Sequence, residues 1–166
     1  MLERDLLHRI AEQDESALQD LYRLYYQRLT RFLFRLVFDP QLVGEVINDV
    51  FLVVWQKAGN FRGDSSPSTW IMGIAYNKAL KANKRHKPQE SLALAEDLAD
   101  ESSTGLQSEV FATVNRLSPK HRAVIVLTYQ FGYSYKEISQ ILGCPENTVK
   151  TRMHYARKSL QTLMET

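Results

Sequence analysis

The stretch SYKEISQILGCPENTVKTRMHYARKSL, residues 134–160, decides the fold of the second half of this chain. Ser134 and Glu137 have the spacing of a capping box, which favours a helix that begins here. Gly143 is typical of a helix end, and Cys144-Pro145 indicates that a second helix starts after a very short turn. The residues predicted to point inward from the first helix are Ile138, Ile141 and Leu142. The stretch therefore predicts a helix-turn-helix.

The second helix of this motif has an apolar side and a polar side, because side chains advance by about 100° per residue. The apolar side carries Val149, Met153, Ala156 and Leu160. The opposite side carries hydrogen-bonding residues, namely Asn147, Thr151, His154 and Lys158. Lys150, Arg152 and Arg157 flank this polar stripe, where they can reach phosphates while the stripe meets base edges in the major groove. The alternative is an ordinary helical hairpin with a polar face.

Helical periodicity extends through the rest of the chain. Residues 18–37 predict a long amphipathic helix, with Leu18, Leu21, Tyr22, Tyr25, Leu29, Phe32, Leu33 and Leu36 on its apolar side. Asp39-Pro40 ends it, and a second helix follows with Leu42, Val46, Ile47, Val50, Phe51 and Val54 inward, ending near Ala58-Gly59. Ser66-Pro67 then predicts the cap of a third helix whose apolar residues include Trp70, Ile71, Ile74, Ala75 and Leu80.

Two further helices are expected near residues 110–117 and 119–131. Between the two helical parts, residues 88–107 are small, acidic and hydroxyl-bearing, which is typical of a flexible linker. The sequence thus predicts an all-α protein with two small helical domains, 1–87 and 108–166, joined by a flexible acidic linker.

The charge of the chain is unevenly distributed. Its 166 residues carry 21 basic and 19 acidic side chains, a net charge of +2. Residues 1–84 hold 11 basic and 10 acidic groups, residues 85–107 hold 2 and 5, and residues 108–166 hold 8 and 4, giving +1, −3 and +4. A basic carboxyl-terminal half favours binding to nucleic acid. A solvated charged helix face is the alternative.

Other functional classes find little support. Cys144 is the only cysteine, which excludes an internal disulfide and a thiolate zinc cluster within one chain. His8, His86, His121 and His154 are scattered along the sequence, so we predict no metal site, no cofactor and no catalytic centre. The chain shows no signal peptide and no membrane span, and a reducing cytoplasm fits it best.

The two halves together resemble the sigma-70 superfamily, and specifically its extracytoplasmic-function (ECF) sigma factors. In the first half the resemblance rests on Asn48-Asp-Val-Phe51, Trp55, Phe61-Arg-Gly-Asp-Ser65, Thr69-Trp-Ile71 and Ile74-Ala-Tyr-Asn77. In the second half it rests on Leu117-Ser-Pro-Lys-His-Arg122, Tyr135-Lys-Glu-Ile138 and the run from Gly143 to Arg152. The implied domains are region 2, residues 1–87, and region 4, residues 108–166.

The resemblance implies a set of partners. Members of this family bind core RNA polymerase through the clamp helices of its largest subunit and through its flap. For the clamp helices it points to the residues Glu45, Asn48, Asp49 and Leu52, although a solvated helix face explains their spacing equally well. It also implies promoter DNA and an anti-sigma factor as partners.

The resemblance also assigns DNA contacts. Asn77 would bind an extruded base of the minus-ten element, beside a pocket shaped by Arg62, Gly63, Asp64 and Ser65. Lys78, Lys81, Lys84 and Arg85 would neutralise phosphates. Trp70 fits core packing as well as this site. The minus-thirty-five element would be read by Asn147, Lys150, Thr151, Arg152, His154, Tyr155, Arg157 and Lys158.

The expected function is therefore promoter-specific transcription initiation as an alternative sigma factor. The linker would pass along the polymerase channel, or serve only as a spacer. The main rival is a stand-alone helix-turn-helix regulator whose first domain senses a ligand or dimerises. Such a domain would not need the segment from Asn48 to Asn77, with its loop and basic helix.

Overall fold

The computed structural model describes residues 2–85, 110 and 112–165. All regular elements in these ranges are helices, and no strand occurs there. The prediction of an all-α fold is therefore confirmed for the described residues. The acidic segment 88–107, predicted to be a flexible linker, lies outside them.

The first half contains four helices, which we number in chain order as α1 (Leu2–Ala11), α2 (Glu15–Leu36), α3 (Val43–Lys57) and α4 (Pro67–Arg85). Short 3-10 turns, Pro40–Leu42 and Ala58–Asn60, lie on either side of α3. Helix α2 begins three residues earlier than predicted because the Asp14 carboxylate accepts hydrogen bonds from the backbone N–H groups of Ser16 and Ala17, at 3.0 and 3.3 Å.

Helix α1 is an element that the periodicity of the sequence did not predict. Leu6, Leu7 and Ile10 are buried, and the Tyr25 hydroxyl donates a hydrogen bond of 2.8 Å to the Glu3 carboxylate. The helix therefore depends on its packing against the rest of the first half, as short helices generally do.

The second half contains a helical turn at residues 112–114, followed by α5 (Pro119–Ile125), α6 (Tyr135–Leu142) and α7 (Glu146–Met164). Helix α5 continues directly into one π-helical turn, Val126–Gln130. Gly132 follows with a φ of 72°, a value that favours glycine. The expected stop at this position is confirmed.

The helix-turn-helix is formed by α6 and α7, and its predicted local bonds are present. The backbone N–H of Glu137 donates to the Ser134 hydroxyl at 3.1 Å, and the N–H of Ser134 donates to the Glu137 carboxylate at 3.0 Å. Gly143 ends α6 in the left-handed conformation, with a φ of 67°. Pro145 then lies at the N-cap position of α7.

Helix α2 is the centre of the hydrophobic core. Its residues Leu21, Leu29, Phe32, Leu33 and Leu36 are completely inaccessible to solvent, and it packs against α1, α3, α4 and α5. Burial of each large apolar side chain stabilises the fold by about 1.5–3 kcal/mol, so this helix makes a large share of the apolar contribution.

The buried residues of α4 cover more of the helix circumference than its sequence pattern predicted. The expected residues Ile71 and Ala75 are buried, whereas Trp70, Ile74 and Leu80 are only half-buried. Met72, Tyr76 and Ala79 are buried in addition. The reason is that α4 packs against α2 and α3 on one side and against α6 of the second half on the other.

We expect Ser134→Ala to lower the free energy of unfolding by about 1 kcal/mol, because it leaves the Glu137 N–H without its cap. Urea unfolding of the full chain would measure this. Ser139→Ala is the matched control, since the Ser139 hydroxyl only donates to the Lys136 carbonyl within the same helix, at 2.6 Å. An equal loss in both variants would contradict a special role for the cap.

Candidate nucleic-acid interface

The outward face of α7 carries the predicted base-reading residues in exposed positions. Exposed here are Asn147, Lys150, Thr151, His154, Tyr155 and Lys158. The Thr151 hydroxyl donates to the Asn147 carbonyl at 3.0 Å, so its oxygen is presented outward as an acceptor. The rings of His154 and Tyr155 meet edge to face, with centroids 5.4 Å apart. On the apolar side Val149, Met153 and Ala156 are buried as predicted.

The cations that flank this stripe differ in their surroundings. Arg152 is half-buried and contacts the phenol of Tyr76 in the first half. Burial raises the pKa of Tyr76, and the Arg152 guanidinium partly opposes that rise. Arg157 lies on the other flank, where its Nη2 and Nε donate to the Tyr129 hydroxyl at 2.7 and 3.1 Å. Lys150 and Lys158 are the other two cations of this face of α7, and both are exposed.

The loop before α4 is held by aromatic packing. The Phe61 ring packs on Trp70 with centroids 5.4 Å apart, and the Arg4 guanidinium of α1 lies 5.9 Å from the Phe61 centroid. Gly63 has a φ of 80°, and a Cβ there would lie 3.0 Å from Arg4 Nη1. Trp70 is half-buried and connects α4 to this loop through its contact with Phe61.

The predicted minus-ten residues lie along this loop and α4. Arg62, Asp64, Asn77, Lys81, Lys84 and Arg85 are exposed, while Gly63, Ser65 and Lys78 are half-buried. Ser66 accepts a hydrogen bond from the Thr69 N–H at 3.2 Å, as expected of the cap of α4. A polar loop and a line of cations on the following helix are thus presented together to solvent.

A small cleft of about 50 Å³ separates α3 from α4 and brings two of the predicted groups together. Glu45 and Asp49, predicted to bind polymerase, line it opposite Lys78, Lys81 and Arg85, predicted to bind phosphate. The cleft therefore carries carboxylates on its α3 side and cations on its α4 side.

The exposed side of α3, which carries the residues predicted to bind polymerase, adjoins aromatic residues of α2. Glu45, Asn48 and Leu52 are exposed, Leu52 to 53%, and Asp49 is half-buried. The expectation that Tyr22 belongs to the buried side of α2 is wrong. Tyr22 is exposed to 36% and packs on Phe51, with centroids 4.8 Å apart. Tyr26 lies beside it at 5.4 Å.

The second half has an apolar groove that sequence reasoning missed. It has a volume of about 710 Å³ and is lined mainly by Val114, Ile125, Val126, Leu160 and Met164, with Tyr129 and Arg157 among its polar-tipped residues. Met164 is exposed to 59%. The sequence analysis followed the apolar side of α7 only as far as Leu160. Met164 lies one helical turn further on the same side and could have indicated the groove.

A polar network connects the two halves beneath the loop. Tyr25 donates to Glu3, Arg28 Nη1 donates to the Ser68 hydroxyl at 3.1 Å, and the Arg28 guanidinium lies 4.9 Å from the Tyr25 centroid. Ser68, in the first turn of α4, also makes a short hydrogen bond with the Tyr133 hydroxyl of the second half. Burial, followed by the bond to Glu3, raises the pKa of Tyr25.

Two sequence families match this chain, one in each half. Sigma-70 region 2 matches residues 21–89, and sigma-70 region 4 matches residues 108–160. The chain belongs to the sigma-70 family. The resemblance seen in the sequence is therefore confirmed, and together with the relatives below it makes the protein an alternative sigma factor of the ECF group.

Curated relatives align over nearly their whole length. The sigma-H factor of Pseudomonas aeruginosa is 27% identical over 98% of this chain and 94% of its own. The ECF sigma factor SigX of Bacillus subtilis is 29% identical over 91% of this chain and 85% of its own. The ECF sigma-E factor of Escherichia coli K12 is 28% identical over 96% and 93%.

Solved structures share the fold. CnrH, in complex with the cytosolic domain of CnrY, superposes with a TM-score of 0.76 at 23% identity, covering 99% of this chain and 98% of CnrH. RpoE of Bartonella quintana, in complex with the anti-sigma factor NepR, superposes with a TM-score of 0.69 at 24% identity, covering 89% of this chain and 96% of RpoE. The arrangement of helices described above is therefore one that this family adopts.

Two kinds of feature are absent from the part of the chain that the structure describes. Within it, no group of three or more His, Cys, Asp or Glu side chains is placed to hold a metal ion. None of the described helices is both long and apolar enough to cross a bilayer.

We expect Tyr25→Phe to make the protein less sensitive to alkaline pH. The raised pKa means that the neutral phenol is favoured in the folded state, so its contribution to stability is complete below the ordinary tyrosine pKa and is lost as the pH rises through the folded-state value. Urea unfolding from about pH 8 to about pH 11 would measure a smaller loss of stability in Tyr25→Phe than in wild type.

The control for this titration is Tyr26→Phe, on the exposed face of the same helix. It should retain the alkaline loss of the wild type. Identical pH profiles for wild type and Tyr25→Phe would show that the Tyr25 phenol does not contribute.

Proposed function

We propose that this sigma factor directs core RNA polymerase to promoters through four surfaces of the described fold. The face formed by α3 and the edge of α2 binds the clamp helices, and the groove of the second half binds the flap. The loop before α4, with α4 itself, captures the melted minus-ten element, and α7 reads the minus-thirty-five element. The single observation that carries the proposal is the occurrence of both sigma-70 regions in one chain.

The clamp-binding surface combines charge with apolar contact. Glu45, Asn48 and Asp49 supply polar groups, and Leu52 with Tyr22 supplies apolar area that is otherwise exposed. Apolar and aromatic residues at the centre of a polar rim are typical of surfaces that contribute most to binding between proteins.

Promoter melting requires a favourable site for a base that has left the stack, at a cost of a few kcal/mol. Asn77 is exposed on α4, and its amide can both donate to and accept from a base edge. Lys81, Lys84 and Arg85 follow toward the end of the helix, where they can neutralise the phosphates of the displaced strand. The loop from Arg62 to Ser65 supplies the wall of the pocket.

Duplex recognition is assigned to α7. Its acceptor and donor groups, on Asn147, Thr151 and His154, face outward along one stripe, and Lys150 and Lys158 lie beside them. Such an arrangement permits base contacts from the stripe and phosphate contacts from the cations. Tyr155 adds an exposed aromatic surface for contact with sugars or a thymine methyl group.

The apolar groove is suited to an amphipathic element of a partner, because its lining is aliphatic while its edge carries Tyr129 and Arg157. We assign it to the polymerase flap. An anti-sigma factor is a further proposed partner, since the Bartonella RpoE was solved with the anti-sigma factor NepR bound. Catalysis belongs to the polymerase, and the proposed site of action is the cytoplasm.

The rival function is a stand-alone regulator. The match of residues 21–89 to sigma-70 region 2 disfavours this function. The loop and basic helix in that region would have no role in a simple dimerisation domain. A regulator would bind its DNA site tightly without polymerase. Two modestly basic halves, by contrast, should bind DNA well only when the polymerase holds both in place.

We expect Asn77→Ala to reduce specific run-off transcripts about tenfold, because one unmatched base contact costs about 1–3 kcal/mol. The assay uses core polymerase and pooled genomic promoters, with Gln19→Ala as a control that removes an exposed amide from α2. The absence of any new start site with the wild-type protein would contradict the initiation function. Wild-type output from Asn77→Ala would contradict only the assignment of base capture.

We expect Leu52→Asp and Met164→Asp each to weaken binding to core polymerase at least about tenfold, because each places a charge in an apolar contact. Fluorescence anisotropy with labelled sigma factor would measure the dissociation constants. Leu24→Asp is the matched control, since Leu24 is exposed on the side of α2 away from Tyr22. Unchanged binding in one variant would remove that surface from the proposed interface.

A further inference from the structure

An exposed tyrosine after α5 holds an arginine of α7 at the surface of the second half. The Tyr129 hydroxyl accepts hydrogen bonds from Nη2 and Nε of Arg157, at 2.7 and 3.1 Å. The guanidinium carbon of Arg157 lies 5.8 Å from the centroid of the same ring. Two hydrogen bonds and a cation–π contact therefore fix the guanidinium against Tyr129, although both side chains are exposed.

The position of Tyr129 depends on the π-helical turn Val126–Gln130. The Phe131 N–H donates to the Val126 carbonyl at 3.2 Å, so this turn contains one residue more than an α-helical turn. Val126 and Leu127 are buried in the core, whereas Tyr129 is exposed to 64%. The turn therefore presents Tyr129 outward, beside α7.

The pair has hydrogen-bond donors that its internal bonds do not use. A guanidinium has five N–H donors, and Tyr129 accepts two of them, so three remain on Arg157. A phenol that accepts two bonds still has its own O–H proton to donate. The phenol is neutral at pH 7, so the pair keeps the full positive charge of Arg157. Several donors around one positive charge are the chemistry that binds a phosphate group.

Arg157 shares one flank of α7 with two residues that we assign to the duplex. Lys150, His154 and Arg157 have the spacing i, i+4 and i+7, which places them on one side of a helix. All three are exposed. Lys150 and Arg157 lie about 10 Å apart along the helix axis, at about 1.5 Å per residue. Tyr129 extends this line of polar and cationic groups beyond α7 itself.

Tyr129 and Arg157 also lie at the edge of the apolar groove that we assign to the flap. They could therefore meet an acidic group of the flap instead of DNA. Glu165 lines the same groove, and its carboxylate disfavours an acidic partner there. The line formed with Lys150 and His154 leads in the other direction, toward the proposed duplex surface, and favours a phosphate of DNA.

We propose that Tyr129 and Arg157 together form a phosphate clamp for the DNA backbone beside the minus-thirty-five element. Arg157 supplies the charge, and Tyr129 orients the guanidinium and donates its own O–H to the same phosphate. The inference rests on the proposed function of α7 and adds to it a residue from outside the helix-turn-helix. Orienting the guanidinium before DNA arrives lowers the entropy that binding has to remove.

Three substitutions separate the parts of the clamp. Tyr129→Phe removes the hydroxyl and keeps the ring. Arg157→Gln removes the charge. Tyr129→Glu retains a strong acceptor for Arg157 but cancels the charge of the pair and repels phosphate. Arg116→Gln is the matched control, because Arg116 is an exposed arginine of the same half that belongs to none of the proposed surfaces.

The measurement is binding of the complete holoenzyme to a promoter fragment that the wild-type protein transcribes, repeated from about 50 to about 200 mM salt. Each lost phosphate contact lowers the slope of log affinity against log salt by about 0.9. We expect this change in Arg157→Gln and in Tyr129→Glu. Tyr129→Phe should bind up to about tenfold more weakly, since it loses one hydrogen bond to a charged group. Arg116→Gln should retain the wild-type slope.

Tyr129→Glu distinguishes the clamp from a purely structural contact. A carboxylate holds the guanidinium at least as well as a phenol does, so a structural role predicts wild-type DNA binding in this variant. A wild-type affinity and salt slope in Tyr129→Glu would therefore overturn the clamp. The double variant Tyr129→Phe with Arg157→Gln should lose less affinity than the two single losses combined, because both residues act on one phosphate.

Binding of the same variants to core polymerase without DNA tests the alternative occupant. We expect wild-type dissociation constants for Tyr129→Phe and Tyr129→Glu. Weaker polymerase binding with an unchanged salt slope would assign the pair to the flap and overturn the clamp. A wild-type holoenzyme without promoter-specific binding would contradict the proposed function itself. A wild-type holoenzyme that binds its promoter, with clamp variants that match it, would overturn only the clamp.

Discussion

The close approach of α6 to α4 at Gly73 is the constraint on which the arrangement of this sigma factor depends. Helix α4 has to complete the core of the first half, present the proposed minus-ten residues, and support the second half on its other side. Its buried residues Ile71, Met72, Ala75, Tyr76 and Ala79 consequently extend around much of its circumference. Only a narrow strip of α4 is exposed to solvent, and the exposed residues of α4 that we propose to contact DNA lie in that strip.

The distribution of charge explains how a protein of net charge +2 serves as a DNA-binding factor. Exposed cations lie at the end of α4 and on α7, while Glu45 and Asp49 lie across a small cleft from Lys78, Lys81 and Arg85. Carboxylates beside the residues proposed to bind phosphate reduce attraction to DNA in general, because each exposed charge acts over about a Debye length.

Local signals in the sequence were reliable where the interaction spans only a few residues. The capping box of Ser134 and Glu137, the left-handed Gly143 and the cap by Ser66 all involve neighbours within three residues or a single backbone conformation. The paired motif sets of regions 2 and 4 were recognisable for a similar reason, since each is a short ordered run. Helix α1, the exposed position of Tyr22 and the groove beside Leu160 were missed, because each depends on a packing partner distant in the sequence.

The sequence by itself determined the helical class, the helix-turn-helix, and the family, because caps, periodicity and ordered motifs are properties of contiguous residues. Only the tertiary structure decided which side of α4 is buried, that Arg122 binds the end of α2, and that Arg152 lies against Tyr76. Arg152 and Tyr76 are 76 positions apart in the sequence, and Arg122 and Arg35 are 87 apart. No local pattern specifies such pairings. They arise because buried polar groups must find partners, and here the partners lie in the other half of the chain.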